Sequence, residues 1–147
     1  MNKSTNYEQD FHAWTTQNVA LIRQGRFAEL DFDHIAEELD SMGASERREL
    51  LNRLQILLMH LLKYQFQPER RGKSWKLTII HQRTAIERLL KQSPSLHRLL
   101  EDSEELLDIY QKAVREAVLE TDLDRHIFPL ECPYSVVEML DDEFWPE

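Results

Sequence analysis

The stretch LLMHLLKYQFQPERRGKSWKLTIIHQR, residues 57–83, decides the fold. It begins as an almost wholly apolar helix with His60 in its middle, and it then enters the basic loop RRGKSWK. Ser45 can cap this helix, and Pro68 cannot continue it and also restrains the residue before it. A helix that is apolar nearly all round is covered by neighbours. The sequence therefore predicts a central apolar helix over about 45–67.

The rest of the chain also has helical character. Apolar residues recur at helical spacing, and the alternation typical of strands is nowhere sustained. Glycines, prolines and capping residues separate five further predicted helices, over 5–25, 33–43, 74–92, 94–121 and 136–140. The segment 94–121 is either one long helix or two helices that break near Ser103. We expect an all-α, single-domain bundle of about six helices over residues 1–147, ending in a short acidic aromatic C-terminal tail.

Composition excludes several classes of protein. A chain of 147 residues has the size of one ordinary domain and can bury a core. No run of eighteen apolar residues occurs, so we expect no membrane span, and no apolar segment near the start indicates a secretion signal. Cys132 is the only cysteine and cannot form an internal disulfide, which fits a reducing compartment. We therefore expect a cytoplasmic protein.

The charge is unevenly spread along the chain. Residues 63–91 hold eight Lys or Arg and two acids, a net of +6, whereas residues 101–147 hold fifteen acids and three cations, a net of −12. The two regions can neutralise each other within one fold, or the basic region can face a partner. The net charge of −9 repels phosphate, so nucleic-acid binding is an open alternative that we do not favour.

The second predicted helix carries an apolar stripe with an acid beside it. At about 100° per residue, Ile35, Leu39 and Met42 share one face, and Glu38 falls next to it. We expect this stripe to belong to the core, which aims Glu38 at the interior.

Three more polar side chains are predicted to point inward. His60 lies on the flank of the central helix, and Gln82 and Arg83 lie within the apolar stripe of the fourth helix. An unpaired buried charge costs several kcal/mol, so these groups should meet. We predict a buried polar network in which Glu38 forms an ion pair with Arg83, with Gln82 and His60 close by.

Several stretches together carry a family resemblance. The segment EELDSMGASERRELLNRLQILLMHLLKYQFQPERRGKSWKLTIIHQR, the opening YEQDFHAW, the stretch GRFAELDFDHIAEEL, the SPSL turn and the ending FPLECPYSVVEMLDDEFWP resemble the bacterial family called domain of unknown function family 29. The resemblance runs from about Tyr7 to Pro146. It implies a small helical protein of unassigned biochemical function and brings no established catalytic residues. Its motifs include positions that match Glu38, His60, Trp75, Gln82 and Arg83.

A metal site is the most specific enzymatic hypothesis. A di-iron bundle needs Glu-x-x-His pairs on facing helices, and none occurs; Asp31-x-x-His34 is the nearest match, but Asp31 should precede the helix. Glu38 and His60 with a third ligand could still serve a metal-assisted hydrolase or nuclease. A core histidine bonded to a carboxylate is far commoner, so we predict no metal and no cofactor.

The basic loop is a candidate anion-binding site. Arg70, Arg71, Lys73 and Lys76 surround Trp75, which is a combination found on surfaces that bind phosphates and bases. However, Trp75 begins the apolar stripe of the fourth helix, so we expect it to pack inward. The loop, residues 70–76, could then bind RNA or an acidic protein, or pair with acids of this chain.

The tail DDEFWPE places Phe144 and Trp145 among acids. We expect these aromatics to dock the tail onto the body or onto a second copy of the chain. Together the patterns favour a non-enzymatic interaction or regulatory module with an unknown protein partner, and a homodimer is one arrangement open to it. The metal-assisted enzyme and the binding of RNA or an acidic protein through the basic loop stand as alternatives.

Overall fold

The computed structural model describes residues 3–147, with side chains from Asn6 onward. In this part of the chain, six α-helices and four 3-10 helices follow one another, and none of these residues forms a strand. The α-helices are α1 (Lys3–Gln9), α2 (Phe11–Arg23), α3 (Phe32–Phe66), α4 (Lys73–Gln92), α5 (Ser103–Thr121) and α6 (Val136–Leu140). The prediction of an all-helical bundle of about six helices is confirmed.

The chain divides into two compact units. The first unit runs up to Glu46 and the second covers Arg47–Glu147, so α3 supplies residues to both. The single-domain organisation inferred from the sequence stays a prediction.

The start of the first unit departs from the expected single helix. The chain breaks at Asp10, whose carboxylate Oδ1 accepts a hydrogen bond from the backbone N–H of Ala13 at 3.0 Å and caps α2. This N-cap interaction stabilises a new helix start inside an otherwise helical stretch. Gly25 lies just after α2 with a φ of +71°, in the left-handed region that glycine adopts without a Cβ penalty. The prediction that this helical region ends at Gly25 is therefore confirmed.

The predicted break at Gly43 does not occur. Helix α3 is continuous over 35 residues and contains Gly43 in its interior. A glycine inside a helix costs about 1 kcal/mol relative to alanine, which good helix formers on both sides offset. The helix ends at Phe66, two residues before Pro68, as expected.

The second unit is built around the later part of α3. Leu50, Leu54, Leu57 and Leu61 are completely buried, and residues of α4, α5 and α6 pack against them in one apolar core. The predicted central apolar helix over about 45–67 is confirmed as this part of α3.

The segment 94–121 breaks where one of the two alternatives placed the break. Residues Pro94–Glu101 form a 3-10 helix, and the carboxylate of Asp102 accepts hydrogen bonds from the N–H groups of Glu104 and Glu105 at the start of α5.

None of the helices in the described chain is both long enough and apolar enough to span a bilayer.

Candidate functional site

Arg83 is a buried cation in the second unit that binds main-chain oxygens. It lies on α4 and is only 2% exposed. Its Nε donates to the carbonyl of Met139 at 2.7 Å, and Nη2 donates to those of Phe144 at 2.8 Å and Glu138 at 3.4 Å. Burial lowers the pKa of the guanidinium, opposed by the carboxylates of Asp142 and Asp141. Arg83 therefore holds α6 and the C-terminal tail onto α4.

A second arginine continues this clamp on the tail. Arg71 donates from Nε to the carbonyl of Tyr64 at 2.5 Å and from Nη2 to that of Pro146 at 3.3 Å, and its Cζ lies 4.3 Å from the centre of the Tyr64 ring. The Trp145 ring centre lies 5.4 Å from the Tyr64 ring centre and 5.4 Å from the Arg83 Cζ. The expectation that the aromatic tail docks on the body is confirmed, and Arg71 is part of that docking.

Glu38 lies in the first unit and has a local partner. The hydroxyl of Tyr7, on α1, donates to the Glu38 carboxylate, and this bond raises the pKa of Tyr7 to about 12. The Tyr7 ring also stacks on His34 with centroids 3.9 Å apart. Because Glu38 is held by Tyr7 and Arg83 by carbonyl oxygens, each predicted member of the Glu38–Arg83 ion pair has other partners within its own unit. Arg83 donates from Nε and Nη2 to backbone carbonyls, which no side-chain pattern reveals, while its buried Nη1 has no hydrogen-bond partner in the described part of the chain.

Asp31 is a polar residue of the first unit whose role the sequence did not indicate. Its buried carboxylate accepts from the indole Nε1 of Trp14 at 2.9 Å and lies 2.8 Å from Nδ1 of His34. Burial acts to raise the pKa of this carboxyl, but the hydrogen bonds from Trp14 and His34 outweigh burial and hold the pKa below its usual value. Asp31 precedes α3, as expected, and the Asp31-x-x-His34 spacing was the available signal.

His60 and Gln82 make separate contacts rather than one network. The Nδ1 of His60 lies 2.9 Å from the carbonyl of Ile56, while Gln82 accepts from Nη1 of Arg53 at 3.2 Å. Burial lowers the pKa of His60, opposed by the hydrogen bond to the Ile56 carbonyl, and favours the neutral imidazole. Across the residues whose side chains are described, no three His, Cys, Asp or Glu side chains come together as a potential metal site.

Lys63 is a buried cation that the sequence reasoning missed. Its Nζ forms an ion pair with Oε2 of Glu120 on α5 at 2.5 Å, and the same Nζ lies 5.0 Å from the ring centre of Trp75. Trp75 is half-buried beneath it, in keeping with its expected inward orientation. The only available signal was a lysine at position 63 within an otherwise apolar helix face.

The four cations of the basic loop have two different roles: one binds the C-terminal tail and three lie exposed on the surface. Arg71 belongs to the tail clamp, but Arg70, Lys73 and Lys76 are exposed, and their side chains form no hydrogen bond or ion pair within the described chain. These three are the cations of the predicted loop that remain available to an external partner.

The start of α3 carries an exposed apolar face, which we call the α3 seam: Phe32, Ile35, Leu39 and Met42. Phe32, Leu39 and Met42 are 59%, 63% and 64% exposed, and Ile35 is half-buried. The expectation that Ile35, Leu39 and Met42 form a core stripe is wrong for this chain alone. A helical stripe records which residues share a face, and a core of the same unit or another molecule can equally cover that face.

The comparisons with known proteins give a family and no individual relative. The family model described as domain of unknown function DUF29 matches residues 6–145. No curated protein and no solved structure matches the chain.

Proposed function

Because the chain belongs to the family described as domain of unknown function DUF29, whose description names no activity, we propose a function from the geometry: a non-enzymatic protein-interaction module. The α3 seam supplies its binding face, and the second unit serves as the folded body. We place the module in the bacterial cytoplasm, in line with its single cysteine and family resemblance.

The observation that carries this proposal is the exposure of the α3 seam. Its residues are spaced by three and four positions, which is the a/d pattern by which one helix packs against another. Fully burying an exposed Phe, Leu or Met side chain contributes roughly 1.5–3 kcal/mol, so leaving these side chains in water forgoes a substantial stabilisation. Contiguous exposed apolar surface of this kind marks interaction sites.

The packing of the first unit supports the same conclusion. Its buried large apolar side chains are Trp14, Leu21 and Leu30, while the continuous core cluster of the described chain lies entirely in the second unit. Phe11, Val19, Ile22 and Phe27 are also exposed in the first unit. A unit with few buried and several exposed large apolar side chains gains stability when a partner covers the exposed ones.

The contacts of Glu38 and His60 do not favour the metal-assisted enzyme. Glu38 is bonded to Tyr7, and His60 uses Nδ1 on the carbonyl of Ile56. Each bond gives its residue a structural role that requires no substrate.

Site-specific photo-crosslinking in cells tests the proposal without knowledge of the partner. A photoreactive amino acid at position 39 or 42 should give a discrete crosslinked protein species. Leu130 is the matched control, because it is an apolar side chain of the second unit that is 86% exposed and lies outside the α3 seam. The proposal fails if positions 39 and 42 crosslink no more than position 130.

A further inference from the structure

Helix α4 presents a basic surface with apolar side chains, which we call the α4 basic face: Lys73, Lys76, Leu77, Ile80 and Arg88. Leu77 is 50% exposed and Ile80 is 44% exposed. The helix contains five Lys or Arg and one acid, and without the buried Arg83 its exposed side chains carry a net of +3. Lys73, Lys76 and Arg88 are exposed, and their side chains have no hydrogen-bonded or ion-paired partner among the described residues.

The α3 seam has the opposite electrostatic character. Residues 1–46 hold nine acids and three Lys or Arg, a net of −6. Asp33 and Asp40 each follow a seam residue, so they flank the seam on one side, at about 100° from Phe32 and Leu39. Both acids are exposed, and no ion pair to either is found in the described part of the chain.

We propose that the α3 seam of one copy of this chain packs against the α4 basic face of a second copy. This inference rests on the proposed function, since it names the partner surface of the same seam. Each copy carries both an acidic apolar surface and a basic apolar surface, so the apolar residues can be buried together while the flanking charges pair. Complementary charge of this kind steers encounter and fixes orientation.

The same charges disfavour the simpler arrangement in which two seams pair with each other. Seam-on-seam packing brings Asp33 and Asp40 of both copies toward one surface, where like charges repel. The α4 basic face offers cations in their place. Nucleic acid is a weaker occupant of that face because the molecule as a whole carries a net charge of −9.

The first experiment measures mass in solution by light scattering after gel filtration, at protein concentrations up to about 0.1 mM, a range in which weak transient contacts can be detected. The wild-type chain, of 17.6 kDa, should give a mass above the monomer that falls toward the monomer at high salt. Leu130→Glu, which lies outside both surfaces, should behave as the wild type does. A wild-type chain that stays monomeric overturns the inference.

The second experiment mixes two defective variants. Leu39→Lys damages the seam and Ile80→Glu damages the α4 basic face, and both positions are exposed, so the fold should survive; circular dichroism checks this. Each variant alone should be monomeric, whereas their mixture should associate, because the intact seam of one copy meets the intact basic face of the other.

Seam-on-seam pairing gives the reverse result: Ile80→Glu alone still associates and the mixture forms no mixed pair, which would overturn the inference. If the wild-type chain is monomeric but position 39 crosslinks to a different protein, the proposed function stands and only the second copy as partner is excluded. If the wild type is monomeric and Ile80→Glu only weakens retention on a polyanion column, the basic face serves a polyanion and the inference fails.

Discussion

Replacing Arg83 with methionine should lower the free energy of unfolding by about 2–4 kcal/mol. Hydrogen bonds from a charged donor contribute about 1.5–3 kcal/mol each, and Arg83 makes two short ones, to the carbonyls of Met139 and Phe144. Methionine fills similar space but donates nothing, so both carbonyls lose their donor. The buried guanidinium also carries a desolvation cost that methionine removes, which offsets part of the loss.

Urea unfolding followed by far-ultraviolet circular dichroism measures this change. Tryptophan fluorescence on the same samples reports the tail, since Trp145 lies 5.4 Å from Arg83 and should become more solvated when the clamp is lost. Arg88→Met is the matched control: it removes the same charge from the exposed side of the same helix, where substitutions usually change stability by less than about 0.5 kcal/mol.

Equal urea midpoints for Arg83→Met and Arg88→Met would refute the role assigned to the hydrogen bonds of Arg83. A second variant separates charge from geometry. Arg83→Lys keeps the charge but cannot reach several carbonyls with one planar group, so it should recover only part of the stability. Full recovery by lysine would show that the positive charge, and not the hydrogen-bonding geometry, holds the tail.

Two further predictions concern titrating groups. Because the pKa of His60 is lowered in the folded chain, the unfolded chain takes up a proton at this residue as the pH falls below about 6.5, while the folded chain does not. The free energy of unfolding should therefore fall over that pH range. In denaturation measured at several pH values, His60→Gln should lose less stability there than the wild type does. Trp14→Phe removes the indole hydrogen bond to Asp31, so it should raise the Asp31 pKa in a carboxyl NMR titration. It should also weaken the stabilisation by Asp31, which is present above the unfolded-state pKa and is lost on acidification. An unchanged Asp31 pKa would contradict the assigned contact.

The second unit was largely predictable because its signals are local. Pro68 stops α3, and Ser135 with Glu138 forms a capping box at the start of α6. In each case neighbouring residues contain the whole physical cause. The burial of the later part of α3 follows from its apolar character on all sides, which leaves no face suited to water.

The candidate site was less predictable because its main contacts use the backbone. A helical wheel shows that Arg83 points inward, but it does not show which groups it meets. Every residue carries a carbonyl oxygen, so the oxygens of Met139 and Phe144 give no sequence signal. The helical wheels aim both Glu38 and Arg83 at the interior, so the sequence predicts that these two side chains pair and gives no sign of the carbonyls.

Two of the errors in the first unit have a different origin. The pattern around Gly43 suggested a helix end, but a single glycine only weakens a helix and its neighbours decided the outcome. The apolar stripe of Ile35, Leu39 and Met42 was read as core, because sequence periodicity does not distinguish a face covered by the same unit from one covered by another molecule.

The two arginines that grip the tail bind oxygens of the main chain, at residues 138, 139, 144 and 146. Such recognition depends mainly on the path of the peptide backbone. Glu143 is exposed, so its side chain can change over evolutionary time without loosening the grip, whereas Asp141 and Asp142 also favour the charged form of Arg83. Insertions or deletions within residues 138–146 should therefore be tolerated far less well than point substitutions.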